Sequence, residues 1–172
     1  MALEIRTAAE LTDPELEARW KTRRAARETE VLQQILRAFV ERPGPVEVKQ
    51  IVAAFADGPP EGIREDLARL DGDDLIQIRE GLVDVAYPFS ALPTPFVVQL
   101  ADGQDRYACC AIDALGIASM LGQRVRVRSR CHHCGEPLEL GVDQAGSGLE
   151  AEAVMVWVGK QGEGERRAAT SL

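Results

Sequence analysis

The chain has 172 residues, of which 45% are hydrophobic and 28% charged, an ordinary globular balance that excludes a disordered or fibrous chain. Lys and Arg number 20 against 28 Asp and Glu, a net charge of −8. That balance weighs against a nucleic-acid-binding chain, because neutralising phosphates takes a basic surface. No window approaches the roughly 18 uninterrupted apolar residues of a membrane span. The stretch from Met1 to Trp20 carries acids where a secretory signal has a positive end and an apolar run, so a cytoplasmic protein is expected.

In chain order, a first helix is expected to begin near Thr12, Asp13 and Pro14, a capping residue followed by proline at the first helical position. A second, from about Glu28 to Glu41, places Val31, Leu32, Ile35, Leu36 and Phe39 on one face. Arg42-Pro43-Gly44-Pro45 stops it, and a short helix from Val46 to Phe55 follows. After the turn Asp57-Gly58-Pro59-Pro60 comes a helix from Pro60 to Leu70, with Ile63, Leu67 and Leu70 inward, and then a turn over Asp71 to Asp74. Leu75 to Ile78 and Leu82 to Val85, separated by Arg79-Glu80-Gly81, read as a hairpin. Helix, helix, turn, helix, hairpin is the order of a winged helix-turn-helix. Its would-be reading helix, Glu61 to Leu70, holds three acids and two bases and is followed by Asp71, Asp73 and Asp74, which makes DNA an unfavoured partner. The basic cluster in this half is Arg19, Lys21, Arg23, Arg24 and Arg27, and gene regulation would have to rest on it or on the wing.

The stretch Tyr87 to Pro95 holds three prolines, which discourage regular structure. It is the expected boundary between two domains, 1–90 and 91–172. Residues 1–90 carry 12 basic and 18 acidic residues, and residues 91–172 carry 8 and 10. In the second half a strand from Phe96 to Leu100 and a turn at Ala101-Asp102-Gly103 precede a helix from Tyr107 to Leu121, ended by Gly122. Gln123 to Ser129 alternates as a half-buried strand, with Val125 and Val127 on one face and Arg124, Arg126, Arg128 and Arg130 on the other. That arginine stripe reads as a solvated sheet face, with a phosphate-binding surface as the alternative. Strands at Pro137 to Val142 and Ala153 to Val158 and a polar tail from Gly159 complete the chain.

All four cysteines, Cys109, Cys110, Cys131 and Cys134, are clustered, and both histidines, His132 and His133, lie between the last two. Such clustering in a reducing compartment points to metal or thiolate chemistry. Four cysteines are too few for a disulfide scaffold. Cys131-x-x-Cys134 followed by Gly135 has the spacing of a metal knuckle, but structural zinc takes four ligands. A redox pair or two incidental thiols are its other readings. Cys110-x-x-Asp113 opens the expected helix and puts a thiol and a carboxyl on one face. There the helix N-terminus favours the thiolate, and Asp113 reads as a general acid or base, a metal ligand or a capping residue. Cys109 points away from Cys110 and reads as core.

Tyr107-Ala-Cys-Cys-Ala-Ile-Asp-Ala-Leu115, the run from Gly122 to Cys131 and the segment Gly135 to Leu140 together resemble the organomercurial (alkylmercury) lyase family, over roughly residues 30–143. The resemblance implies an α+β protein: a winged-helix-like N-terminal domain, then a small mixed-sheet lyase-like core with a treble-clef-like cysteine knuckle. It implies that Cys110 and Asp113 are catalytic, that two thiolates hold mercury, that the acid protonates the departing carbon, and that no cofactor is required. It also implies that Cys131 is structural. The family's second catalytic cysteine comes from a later segment, and no cysteine follows Cys134 here, so Cys131, Cys134 or Cys109 would have to supply it. The expected partner is an organomercurial or another soft-metal small molecule. The alternative is a non-catalytic module in which Cys110, Asp113, Cys131 and Cys134 enclose zinc or a soft metal.

Overall fold

The computed structural model describes residues 28–55, 58–145 and 154–156. The expected helix at Thr12, the basic cluster Arg19 to Arg27 and the polar tail lie outside these residues. So does most of the expected strand Ala153 to Val158, of which 154–156 carry no regular structure.

Helix α1 (Glu28–Glu41) seats Val31, Ile35 and Phe39 in the core, with Leu32 and Leu36 packed beside them, as the i, i+4 spacing requires. The next expected helix starts later than its sequence suggests. Val46 and Glu47 form strand β1, paired with Val83 and Leu82, and helix α2 runs only over Val48–Ala54. The residues after Pro45 are extended, with Glu47 at φ −70° and ψ 130°, and a β-branched valine suits a sheet edge. Helix α3 (Pro60–Gly72) has Pro at its first turn and buries Ile63, Leu67 and Leu70 as expected. Strands β2 (Ile76–Arg79) and β3 (Leu82–Ala86) form the expected hairpin. Its two-residue turn places both Glu80 (φ 50°) and Gly81 (φ 77°) in the left-handed region, the backbone twist that matches that of paired strands.

The proline-bearing stretch departs from expectation. Strand β4 (Phe89–Ser90) forms between its prolines, where both residues retain an N–H, and pairs with β3 on one side and β6 on the other. Strand β5 (Val97–Gln99) lies within the expected strand Phe96 to Leu100, and then a strand appears where a helix was expected to start: β6 (Asp105–Ala108) pairs with β4 and β5. Helix α4 (Ala111–Leu121) therefore begins four residues after Tyr107 and ends at Gly122 in the left-handed conformation. The apolar run Tyr107 to Ala111 is compatible with either period, and two waiting strand edges decide the matter. Strands β7 (Val125–Arg130) and β8 (Pro137–Val142) close the sheet.

The result is an α+β fold on one antiparallel sheet of eight strands, in the order β1-β3-β4-β6-β5-β7-β8, with β2 on the other edge of β3. The sheet passes through residue 90 without a break in its pairing. One buried cluster likewise runs from Val31 to Val142. Phe39 and Phe89 stack across it with ring centroids 6.2 Å apart. Among the described residues no helix is long and apolar enough to cross a membrane.

Arg106 on β6 fastens α1 to this sheet. It is 4% exposed, and its guanidinium donates to the carbonyls of Phe39 (2.7 Å), Val40 and Asp105 (2.7 Å). Phe39 and Val40 belong to the last turn of α1, which has no basic residue of its own. The distant guanidinium thus satisfies carbonyls that the helix leaves open and places a cation at its negative end. Arg106→Ala should lower unfolding stability by about 2–4 kcal/mol in urea titration, because buried carbonyls lose charged donors. Arg106→Lys should restore little of it, since an ammonium cannot reproduce the planar fork.

Candidate active site

Strand β6 hands the chain to α4 through Cys109 and Cys110. Cys109 is buried and its thiol donates to the Phe89 carbonyl at 3.2 Å, so it belongs to the core as expected. Burial pushes its thiol far above the usual range. Cys110 is the N-cap of α4, with extended backbone (φ −147°, ψ −179°). The backbone N–H of Asp113 donates to its sulfur at 3.4 Å, and that of Ala114 to its carbonyl at 3.0 Å. A thiol thus occupies the place usually taken by a Ser, Thr or Asp side chain. Asp113 sits at the third helical position, from which a carboxylate reaches back to the cap, the geometry of a capping box. The spacing Cys-x-x-Asp accordingly brings the thiol and the carboxylate into a hydrogen bond with each other.

The electrostatics of this pair correct the expectation of a thiolate. Burial and the Asp113 side chain push the Cys110 thiol up to about 11, against the opposing pull of the N–H groups of Asp113 and Ile112. Asp113 is also raised, by burial, against the opposing pull of Cys110. Both groups are thus held toward their protonated forms, and the thiol and carboxyl share the start of the helix. A helix N-terminus stabilises negative charge, but here removal from water and a neighbouring carboxylate outweigh it.

Tyr87, which the sequence gave no reason to single out, stands in the same neighbourhood. Its hydroxyl is buried and has no hydrogen-bond partner. Burial holds its phenol well above the usual range, and nearby acidic groups, Asp74 first among them, add to the shift.

The cysteine knuckle closes the β7–β8 hairpin. Cys131 N–H donates to the Glu136 carbonyl and Gly135 N–H to the Cys131 carbonyl, both at 2.8 Å. Gly135 takes φ 75°, a conformation costly for any residue with a Cβ. The Cys131 sulfur accepts the backbone N–H groups of Cys134 and His133, and the Cys134 side chain is a further hydrogen-bond partner; these lower the Cys131 thiol. Cys134, His132 and His133 are exposed. Among the described residues no group of three or more His, Cys, Asp or Glu side chains is placed to hold a metal ion. Cys110 and Asp113 lie at the start of α4, and Cys131 and Cys134 on the turn between β7 and β8. The arginine stripe is engaged within the sheet: Arg126 pairs with Glu139 (2.6 Å), Arg128 with Asp105 (2.5 Å), and Arg130 donates to the Gly135 carbonyl (3.1 Å).

Fold and site together define a thiol–carboxylate centre at a helix N-terminus, carried on an antiparallel sheet. Residues 89–172 match the model of the MerB family, alkylmercury lyase. The chain is 34% identical over 99 residues to the alkylmercury lyase of Staphylococcus epidermidis, covering 58% of this chain and 44% of the relative. It is 36% identical over 113 residues to that of Streptomyces lividans, covering 64% and 50%. The chain thus spans about half the length of the curated relatives it matches. A crystal structure of the mercury-bound form of MerB2 shares the fold with a TM-score of 0.63 at 23% identity, over 77% of this chain and 65% of the other.

Two measurements check the electrostatics. Alkylation of Cys110 by iodoacetamide should accelerate with pH toward a midpoint near 11. Asp113→Asn should move that midpoint down, since the carboxylate both accepts the thiol's hydrogen and repels the thiolate; an unmoved midpoint would refute the pairing. Tyr87→Phe should leave stability unchanged or raise it by about 1 kcal/mol, because it deletes an unsatisfied buried hydroxyl at nearly constant shape.

Proposed function

We propose that the chain acts as an alkylmercury lyase, with Cys110 as the group that takes mercury and Asp113 as the proton carrier. The observation that carries this is the hydrogen-bonded thiol and carboxylate at the start of α4. The substrate is an organomercurial R–Hg–X in which X is an exchangeable thiolate. The Cys110 sulfur forms a bond to mercury as X leaves, and the thiol proton passes to the Asp113 carboxylate. The carbon–mercury bond then breaks, its electron pair takes the proton from Asp113, and R–H departs. Hg(II) remains on the Cys110 sulfur, and a thiolate from solution completes its two-fold coordination. Charge and protons balance without a resident cofactor.

The resting electrostatics suit this sequence. A soft sulfur nucleophile matches a soft metal. An acid that protonates carbon must be able to hold a proton near neutral pH, and burial raises Asp113 in that direction. On this reading α1 to β3 form a winged-helix-like module ahead of the lyase-like core. The division at residue 90 and a treble-clef-like ancestry for the β7–β8 knuckle belong to the same reading.

The test is release of benzene from phenylmercury by the reduced chain in excess small thiol, followed by gas chromatography. Wild type should release benzene. Cys110→Ser should release none above the uncatalysed rate, and Asp113→Asn should be slower by roughly a hundredfold or more, the usual contribution of a positioned acid. Absence of benzene from the wild type, or undiminished release by Cys110→Ser, would overturn the assignment.

A further inference from the structure

The Cys131–Cys134 pair takes no part in the chemistry just described, yet it is not an incidental pair of thiols. The knuckle is fixed on both sides: the last β7–β8 pairing is Arg130 with Pro137, two backbone hydrogen bonds close the turn within it, and Arg130 ties down the Gly135 carbonyl. Within this turn Cys131 and Cys134 are three residues apart, and the chain turns back between them and β8 at Gly135, whose φ is 75° and whose N–H donates to the Cys131 carbonyl. Both sulfurs come from one short turn at the surface, and Cys134 is exposed. A ligand can reach the pair without opening the core.

We propose that Cys131 and Cys134 form a second, surface site that binds one soft, two-coordinate cation, Hg(II) being the case in point, through both sulfurs and independently of Cys110.

The number of donors selects the class of ion. Structural zinc takes four ligands in a tetrahedron. Among the described residues no third His, Cys, Asp or Glu joins the two thiols to make such a group, although His132 and His133 lie between them in sequence. A pair of thiolates alone satisfies a soft ion that is content with two sulfur ligands. Loading is a ligand exchange without redox change. A mercury bis-thiolate transfers its metal to the two protein sulfurs, and the two displaced thiolates take up the protons that the cysteines lose. The site does not rest on the lyase reading, because it uses neither Cys110 nor Asp113.

The experiment uses the full chain, reduced, with HgCl2 presented as its complex with excess N-acetylcysteine and the mercury counted after desalting. Cys110→Ser should retain roughly one Hg(II) per chain. Adding Cys134→Ser to that background should weaken retention against the competing thiol by roughly a hundredfold, since the second sulfur no longer binds intramolecularly. No mercury on Cys110→Ser, or an unchanged count in Cys110→Ser/Cys134→Ser, would overturn the proposal. A readout on the wild type guards against misfolded variants: bound Hg(II) should shield Cys131 and Cys134 together from iodoacetamide in peptide mapping, and full alkylation of both at saturating metal would equally overturn it. A chain inert toward phenylmercury but protected at the knuckle would sink the lyase reading while leaving this site standing.

Discussion

The site depends on a single constraint: the chain must leave the sheet and enter a helix across two consecutive cysteines. Strand β6 is held on both edges, by β4 and β5, so its end is fixed to the sheet. Extended backbone sends neighbouring side chains to opposite sides. Cys109 turns inward to the Phe89 carbonyl, and Cys110 turns toward the opening of α4, where its sulfur takes the Asp113 N–H. One cysteine is thereby spent on the core and the other is presented to chemistry. Arg106, three residues before Cys109, anchors the same strand to the end of α1. The first helix and the strand that carries the site are thus one mechanical unit.

Two electrostatic influences meet at Cys110 and pull in opposite directions. The helix N-terminus offers amide hydrogens that favour a thiolate. Partial burial and the Asp113 carboxylate favour the thiol, and they win, holding it near 11. The consequence is chemical as well as structural. A free thiolate would react with many soft electrophiles, whereas a thiol bonded to a carboxylate ionises only as its proton is taken up next door. On the proposed reading the proton would stay on Asp113, close to whatever the sulfur had bound. Losing thiolate character in the resting state is compensated by keeping the proton local, an arrangement suited to breaking a bond to carbon by protonation.

Much of the architecture was legible because it rests on local rules. The helix face of α1, the proline start of α3, the Glu80-Gly81 turn, the left-handed end of α4 at Gly122 and the alternation of β7 each follow from short-range sterics or periodicity. What was not legible depends on partners far along the chain. Val46 and Glu47 become a strand because β3 has a free edge, Phe89 and Ser90 because β3 and β6 flank them, and Asp105 to Ala108 because β4 and β5 do. The site shows the same division. Cys110 and Asp113 could be paired from their spacing, because a helix cap is a local motif. Cys131 and Cys134 ride on the β7–β8 turn, whose place is set by strand pairing that spacing does not encode. Tyr87 was invisible for a similar reason, since only the folded chain brings it near Asp113 and Cys110.

The two thiol pairs are built on opposite principles. At α4 a sulfur is partly withdrawn from water and matched with a carboxylate, which keeps it protonated and couples it to an acid. At the β7–β8 turn a sulfur stands near the surface, where hydrogen bonds from Cys134 and His133 lower its thiol against the opposing charge of Glu136. The first environment suits a reaction in which a proton must be handed over, and the second suits holding a cation. Both use the same resource, backbone N–H groups directed at sulfur, one set at the start of a helix and the other in a turn fixed by Gly135. Burial and the identity of the neighbour, rather than the cysteine itself, decide what each pair does with it.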